Sequence, residues 1–306
     1  GGKKGFELLE GYDWLIIDEV SKCPITEVLR YLPYVEKIIM VGDDFQLAPL
    51  LEFTKADVEG LPSYDEDKFN KLESIYEKSV FANTLEKARE AGRMIELNVN
   101  YRSVKAVLNA YNIFYDGRLQ NMREVVKPAK VQFNDFKKYE DKDIFFVEVK
   151  NGKEAKEGTS RYNIEELEAT ADRLKDLMKT VENPIGVTVS AIFPYAAQIE
   201  KFQKKYKELI NEAKKHFKSF EIDTVDAFQG KETDIVLVNT VVTTAVGNFL
   251  NEFRRINVSM SRARDKLFIF GNSITLSQIE MRINGGNKRT YFREIIDDIR
   301  RFGKMI

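Results

Sequence analysis

The chain has 306 residues, 43% of them apolar, with one cysteine, one histidine and a formal net charge of −1. That length supports one large or two ordinary domains with a real core, while the lone cysteine excludes an internal disulfide framework and fits a reducing cytoplasmic setting, and the lone histidine argues against a zinc centre. No apolar run reaches the roughly 18 residues a spanning helix needs, so no membrane partner is expected, and GGKKGFELLEGYDW lacks the apolar stretch of a secretory signal. Charge is unevenly spread: residues 1–100 hold 12 Lys+Arg and 20 Asp+Glu, the rest 36 and 29. An acidic part followed by a basic part is compatible with a polyanion held mainly by the second, and solvated surfaces account for it equally well.

In chain order, residues 13–19, DWLIIDE, predict an apolar strand ending on Asp18 and Glu19. Residues 37–49, KIIMVGDDFQLAP, predict a second strand ending in a glycine turn. Between them Pro24 to Leu32 places Ile25, Val28, Leu29 and Leu32 on one helical face, so strand, helix, strand gives a parallel-sheet unit. A strand-end Asp-Glu pair beside a phosphate has a plain use. The first carboxylate holds hydrated magnesium and the second orients or deprotonates an attacking water; a surface turn explains the same residues.

Residues 51–78 read as an acidic, exposed loop, and 79–92 as an amphipathic helix with Gly92 beyond its end. Met94 to Leu97 predicts a short strand leading into NVNYRS, and 104–119 a helix closing on an Asp-Gly turn. Residues 120–143 are Lys-rich and irregular, 144–149 a strand, 150–160 a loop. Asn163 with Glu166 three residues on reads as a capping box opening the next helix. IGVTVSAIFPY (185–195) is a buried strand, 196–218 one helix with Ile199, Phe202, Tyr206, Ile210 and Phe217 inward, and YFREIIDDIRRFGKMI a final amphipathic helix.

Residues 222–272 carry the densest chemistry. Ile235 to Val242 and Leu267 to Phe270 read as buried strands. Each follows a segment rich in phosphate- and sugar-binding side chains: Thr224, Gln229, Gly230 and Glu232 before the first, Arg254, Arg255, Arg262 and Arg264 before the second. Such groups at strand ends point to a ligand cleft, which open α/β sheets place at the carboxyl ends of their strands.

IIDE, VGDDFQLAP, LNVNYRS, FYDGRL, VSAIFPYAAQ, TVDAFQGKETDIV and RRINVSMSRARDKLFIFGN occur in that order. The series resembles the superfamily 1 helicases, most closely their Upf-like branch, from about residue 12 to about residue 272. The resemblance implies an α/β fold: residues 1–97 the C-terminal half of a first RecA-like domain, residues 98–306 a second RecA-like parallel-sheet domain. It further implies ATP and Mg2+ between the domains and single-stranded DNA or RNA across their top. By position, it makes Asp18 the magnesium ligand, Glu19 the catalytic base and Gln46 a γ-phosphate sensor. Arg102 and Arg262 would reach that phosphate, Tyr101 would stack on adenine, and Glu232 with Gly230 would lie at the nucleotide's ribose. Thr224, Pro194 and Pro49 would face the nucleic acid.

Three positions depart from the family's pattern. Val20 stands where a small residue is usual, Ser103 where Met is, and Ser261 where Thr is; no charged group is lost. The phosphate-cradling GxxxxGK[ST] is absent, since GGKKG has no Ser or Thr after its lysine. The expectation is the C-terminal portion of a longer helicase, ATPase-deficient alone. Its first segment would have an open sheet edge and an exposed apolar face that invite self-association. Two other readings stand beside this one: an ATPase-dead nucleic-acid or partner-binding module, and a metal-dependent phosphohydrolase built on Asp18 with Asp43 and Asp44.

Overall fold

The computed structural model describes residues 11–49, 55–77, 80–127, 129–244, 250, 252–282 and 288–306. The chain divides into two units, Gly1–Glu96 and Leu97–Ile306.

In the first unit, β1 (Tyr12–Ile17) and β2 (Val35–Met40) pair in parallel from Tyr12 opposite Val35 to Ile17 opposite Met40. Helix α1 (Ile25–Tyr31) joins them, as the strand-helix-strand pattern requires. Parallel sheets are normally covered on both faces. Here Tyr12, Trp14 and Ile16, which share one face by the two-residue period, are 54%, 52% and 66% exposed. The segment expected to be a loop contains two helices, α2 (Lys55–Val58) and α3 (Glu66–Glu77). Its acidity hid them: the Asp65 carboxylate accepts the Lys68 amide at 2.9 Å, and Glu66 and Asp67 sit in the first turn of α3, where negative charge is favoured. Helix α4 (Val80–Glu90) follows, with Gly92 at φ +62 beyond it.

The second unit is built on a six-stranded sheet. Its strands are β3 (Ile144–Glu148), β4 (Thr188–Phe193), β5 (Ser219–Thr224), β6 (Thr233–Asn239), β7 (Ala263–Gly271) and β8 (Lys304–Met305). They lie in the order β8-β3-β7-β6-β4-β5, all parallel. Period-two alternation sends Ile235, Leu237, Phe268 and Phe270 into one core, closed by Leu167, Leu174 and Leu177 of α5 (Ile164–Thr180), Phe202 of α6 (Ala196–Lys205) and Ile210 of α7 (Lys207–His216). Phe145 stacks on Phe268 there at 4.4 Å. On the opposite face pack α8 (Phe253–Ser261), α9 (Tyr291–Phe302) and the helix Lys105–Asn112, where Phe114, Phe253 and Tyr291 form one aromatic cluster. Helices on both faces of a parallel sheet give a doubly wound α/β unit.

The structure departs from the sequence pattern at several points in this region. Met94 to Leu97 is not a strand: Ile95 and Leu97 are 88% and 84% exposed, and pairing begins at Val99–Asn100 against Gln120–Asn121. The stretch read as a loop holds an antiparallel hairpin, Glu154–Glu157 with Ser160–Asn163, turned by Gly158 at φ +59. The long helix over 196–218 breaks at Tyr206, whose φ −118, ψ 30 lie outside the helical range.

The capping box forms by half. Asn163 caps α5 by accepting the Glu166 amide at 3.1 Å, but the Glu166 carboxylate does not reach back to it. Instead Glu166 Oε2 accepts the amides of Thr240 and Val241 at 3.1 and 2.9 Å, beyond the end of β6. Val241 lies there at φ 66, a left-handed backbone that costs a β-branched residue of order 1–3 kcal/mol. The carboxylate is thus spent on holding a strained turn.

Candidate functional site

In the first unit, Asp18 Oδ1 accepts the Glu19 amide at 2.9 Å, and Glu19 sits at φ 52 just past β1. The two strand ends are tied together: the Val20 amide reaches the Val41 carbonyl at 3.0 Å, and Ser21 Oγ accepts the Asp43 amide at 2.7 Å. A Cβ on Gly42 would lie 2.8 Å from Ser21 Oγ and 2.9 Å from Val20 Cγ1, so glycine is required. Gln46 Nε2 donates to Asp43 Oδ2 at 2.9 Å, and half-buried Pro49 ends the same turn. Asp18 and Glu19 thus follow the end of β1, and Gln46 lies in the turn after β2, the strand paired with it. Among the described residues no three His, Cys, Asp or Glu could hold a metal together. Asp18 suits an ion that keeps most of its ligands as water and phosphate oxygen, which is magnesium's habit.

In the second unit a cleft of about 600 Å³ is lined by Val99 to Arg102, by Glu232, Asp234 and Arg264, and by Arg123, Lys127, Lys130 and Lys218. It lies at the amino ends of β4 to β7, not at the carboxyl ends expected from open α/β sheets. Arg102 Nε donates to Glu232 Oε2 at 2.8 Å and Nη1 to the Ser261 carbonyl at 3.2 Å. Arg264 Nη1 donates to Glu232 Oε1 at 3.2 Å, while Nη2 is 2.8 Å from Asp234 Oδ1. Asp234 Oδ2 accepts from the Thr188 amide and hydroxyl, both at 2.8 Å. Burial alone would raise the Asp234 carboxyl, but those hydrogen bonds and the charges of Arg264 and Lys130 hold it below its ordinary value. Neither the Lys127 nor the Lys218 ammonium meets a carboxylate among the described residues. With six cationic side chains against two carboxylates, and Tyr101 60% exposed beside them, the donor set fits a polyphosphate attached to a flat ring.

Of the positions singled out by sequence, Tyr101, Arg102 and Glu232 meet in this cleft, and Gly230, at φ +82, makes the turn before Glu232. Arg262 does not line it. It is 1% exposed, its Nε on the Val258 carbonyl at 3.0 Å and Nη1 on the Lys231 carbonyl at 3.3 Å. Pro194 and Thr224 lie on the opposite edge of the sheet, at the carboxyl ends of β4 and β5, both half-buried. Sequence reasoning missed Thr188 and Asp234, and also Arg123 with Asp265, whose contact spans 142 positions. Asp234 follows the Gly-Lys-Glu-Thr run directly, a signal that could have found it.

A doubly wound parallel sheet with a cation-lined cleft and this motif order defines a RecA-like domain of the helicase type. The AAA domain family's profile matches residues 76–274, and the chain belongs to that family, its motif series marking it as a superfamily 1 helicase sequence. It is similar to the "Uncharacterized ATP-dependent helicase MJ0104" of Methanocaldococcus jannaschii, 28% identical over 286 residues, covering 90% of this chain and 38% of that protein. It is 28% identical over 273 residues to Helicase sen1 of Schizosaccharomyces pombe, covering 87% and 15%. Against DNA polymerase alpha-associated DNA helicase A of Saccharomyces cerevisiae it is 30% identical over 302 residues, covering 90% and 40%. The chain thus spans less than half the length of these curated relatives. No helix among the described residues is long and apolar enough to cross a membrane.

Proposed function

We propose that this chain is the motor portion of an ATP-dependent, Upf-like nucleic-acid helicase or translocase acting on single-stranded DNA or RNA. The observation that carries the reading is the cleft in which Tyr101, Arg102, Glu232 and Arg264 converge beside Lys127, Lys130 and Lys218. In this reading ATP supplies the transferable phosphoryl group, with Mg2+ held at Asp18. Glu19 takes the proton of the attacking water, and Gln46 senses the terminal phosphate. Arg102 neutralises charge on the phosphate, and Tyr101 offers its exposed ring to the base. Glu232 accepts the sugar hydroxyls, with Gly230 providing its turn. Arg262 acts on the phosphate only after leaving the carbonyls of Val258 and Lys231; until then it fixes the end of α8. Pro49, Pro194 and Thr224 face the strand. The exposed Tyr12, Trp14 and Ile16 support self-association through the first unit.

Without a GxxxxGK[ST] to seat the β- and γ-phosphates, the 306-residue chain is expected to hydrolyse ATP at or near background. Robust single-strand-stimulated hydrolysis that Glu19→Gln abolishes would overturn that. Binding to fluorescently labelled single strands is expected to be weak and to fall steeply between about 50 and 200 mM salt. Anisotropy titrations showing salt-independent binding would remove the phosphate-tracking surface from the reading.

A further inference from the structure

Both oxygens of Glu232 are occupied by arginines, and the two arginines are anchored unequally. Arg264 has three acceptors: Glu232 Oε1 at 3.2 Å, Asp234 Oδ1 at 2.8 Å and Thr188 Oγ1 at 3.2 Å. Asp234 is itself 3% exposed and fixed by the Thr188 amide, so Arg264 stands on a rigid base. Among the described residues Arg102 has only Glu232 Oε2 at 2.8 Å and one backbone carbonyl, that of Ser261, at 3.2 Å. Its side chain is 34% exposed against 25% for Arg264. When a ligand competes for Glu232, Arg102 is the arginine that can leave.

We propose that Arg102 and Glu232 form a displaceable latch whose fixed post is Arg264, and that a nucleoside polyphosphate opens it by exchange. A phosphate oxygen takes the Arg102 guanidinium, and a sugar hydroxyl donates to the Glu232 oxygen that Arg102 vacates. The proposal rests on the nucleotide reading of the cleft. The exchange leaves each side chain with a charge-assisted partner: Arg102 trades a carboxylate for a phosphate, and Glu232 trades a guanidinium for a hydroxyl. A ligand offering both groups leaves neither side chain unpaired, whereas one offering phosphate alone leaves Glu232 Oε2 to water. The latch therefore makes sugar recognition and release of the phosphate-binding arginine one event.

The full 306-residue chain tests this in two measurements. In calorimetric titrations, Glu232→Gln is expected to bind inorganic triphosphate roughly two- to fivefold more tightly than the parent, the range that loss of a partly exposed competing ion pair supplies. Unchanged or weakened triphosphate binding overturns the latch, and a gain is not what a misfolded variant gives. In nitrogen-15 spectra, ATP is expected to move the Arg102 Nε–H signal and leave that of Arg264 in place. ATP that shifts the amides of Asn100 and Tyr101 with Arg102 unmoved refutes the latch but keeps the nucleotide reading. ATP that shifts nothing in the cleft at millimolar concentration refutes both.

Discussion

Replacing Asp265 with alanine is expected to destabilise the larger unit by about 3–5 kcal/mol, the cost of stranding a buried charge whose partner is removed. Asp265 is fully buried at the start of β7. One carboxylate oxygen accepts from Arg123 Nη2 at 2.9 Å, and the other accepts the amides of Lys130 and Val131 at 2.7 and 3.0 Å. Arg123 is 4% exposed and also donates from Nε to the Arg102 carbonyl at 3.0 Å. Alanine leaves a guanidinium and two amides without that acceptor inside the protein. It also frees the segment that brings Lys127 and Lys130 to the cleft and steadies the backbone of Arg102. Asparagine keeps an acceptor without the charge and should fall between. Urea unfolding followed by circular dichroism reads the difference. Asp172→Ala, at a side chain 75% exposed, is the control; equal midpoints for the two alanine variants would show that Asp265 holds nothing.

Glu166→Gln is expected to flatten the pH dependence of stability. Burial pushes the Glu166 carboxyl up to about 8 from an ordinary 4.5, against the pull of the Val241 and Thr240 amides and the Thr240 hydroxyl. No cation is among its described hydrogen-bond partners. The folded value exceeds the unfolded one, so the folded state keeps a proton that the unfolded chain releases. The contribution is fully present below pH 4.5, erodes by roughly 1.4 kcal/mol per pH unit as pH rises, and is gone once pH passes about 8. Glutamine mimics the neutral acid: its oxygen takes both amides now on Oε2, and its NH2 faces Thr240 Oγ1, 3.3 Å from Oε1. That hydroxyl already donates to the Phe270 carbonyl at 2.9 Å, so it is free to accept. Thermal melts across pH 5 to 8 should show the parent falling away from the variant; parallel curves would mean that Glu166 is ionised when folded.

Strands β3, β4, β6 and β7 were legible because buried parallel strands leave continuous apolar runs such as IFFVE and DIVLV, whereas β5, SFEIDT, has no such run and went unread. Helices were legible from the 3.6-residue spacing of their apolar positions on one face. The short hairpin was not: Glu154 to Asn163 is polar, and what holds it is distant, the Glu154 carboxylate accepting the Thr243 amide at 3.1 Å. The break at Tyr206 was invisible because the inward spacing of apolar residues continues through it. Arg102 and Glu232 could be picked out by the resemblance, but their pairing across 130 positions could not, and neither could the burial of Arg262. Local pattern reports which faces are apolar; it does not report where a charged side chain finds its partner.

Strand β6 has a consequence for how the two edges of the sheet communicate. Its seven residues are all buried, and Ile235 to Val238 pair on both sides; its length sets the cleft edge and the carboxyl edge about 20 Å apart by strand rise alone. Such a member transmits position, not motion. The crossover from Thr224 to Glu232 joins the same two edges through a single short helix, Val225–Phe228, and no strand pairing. The sheet is thus the stiff strut of the unit, and this crossover is among the connections that run between its two edges.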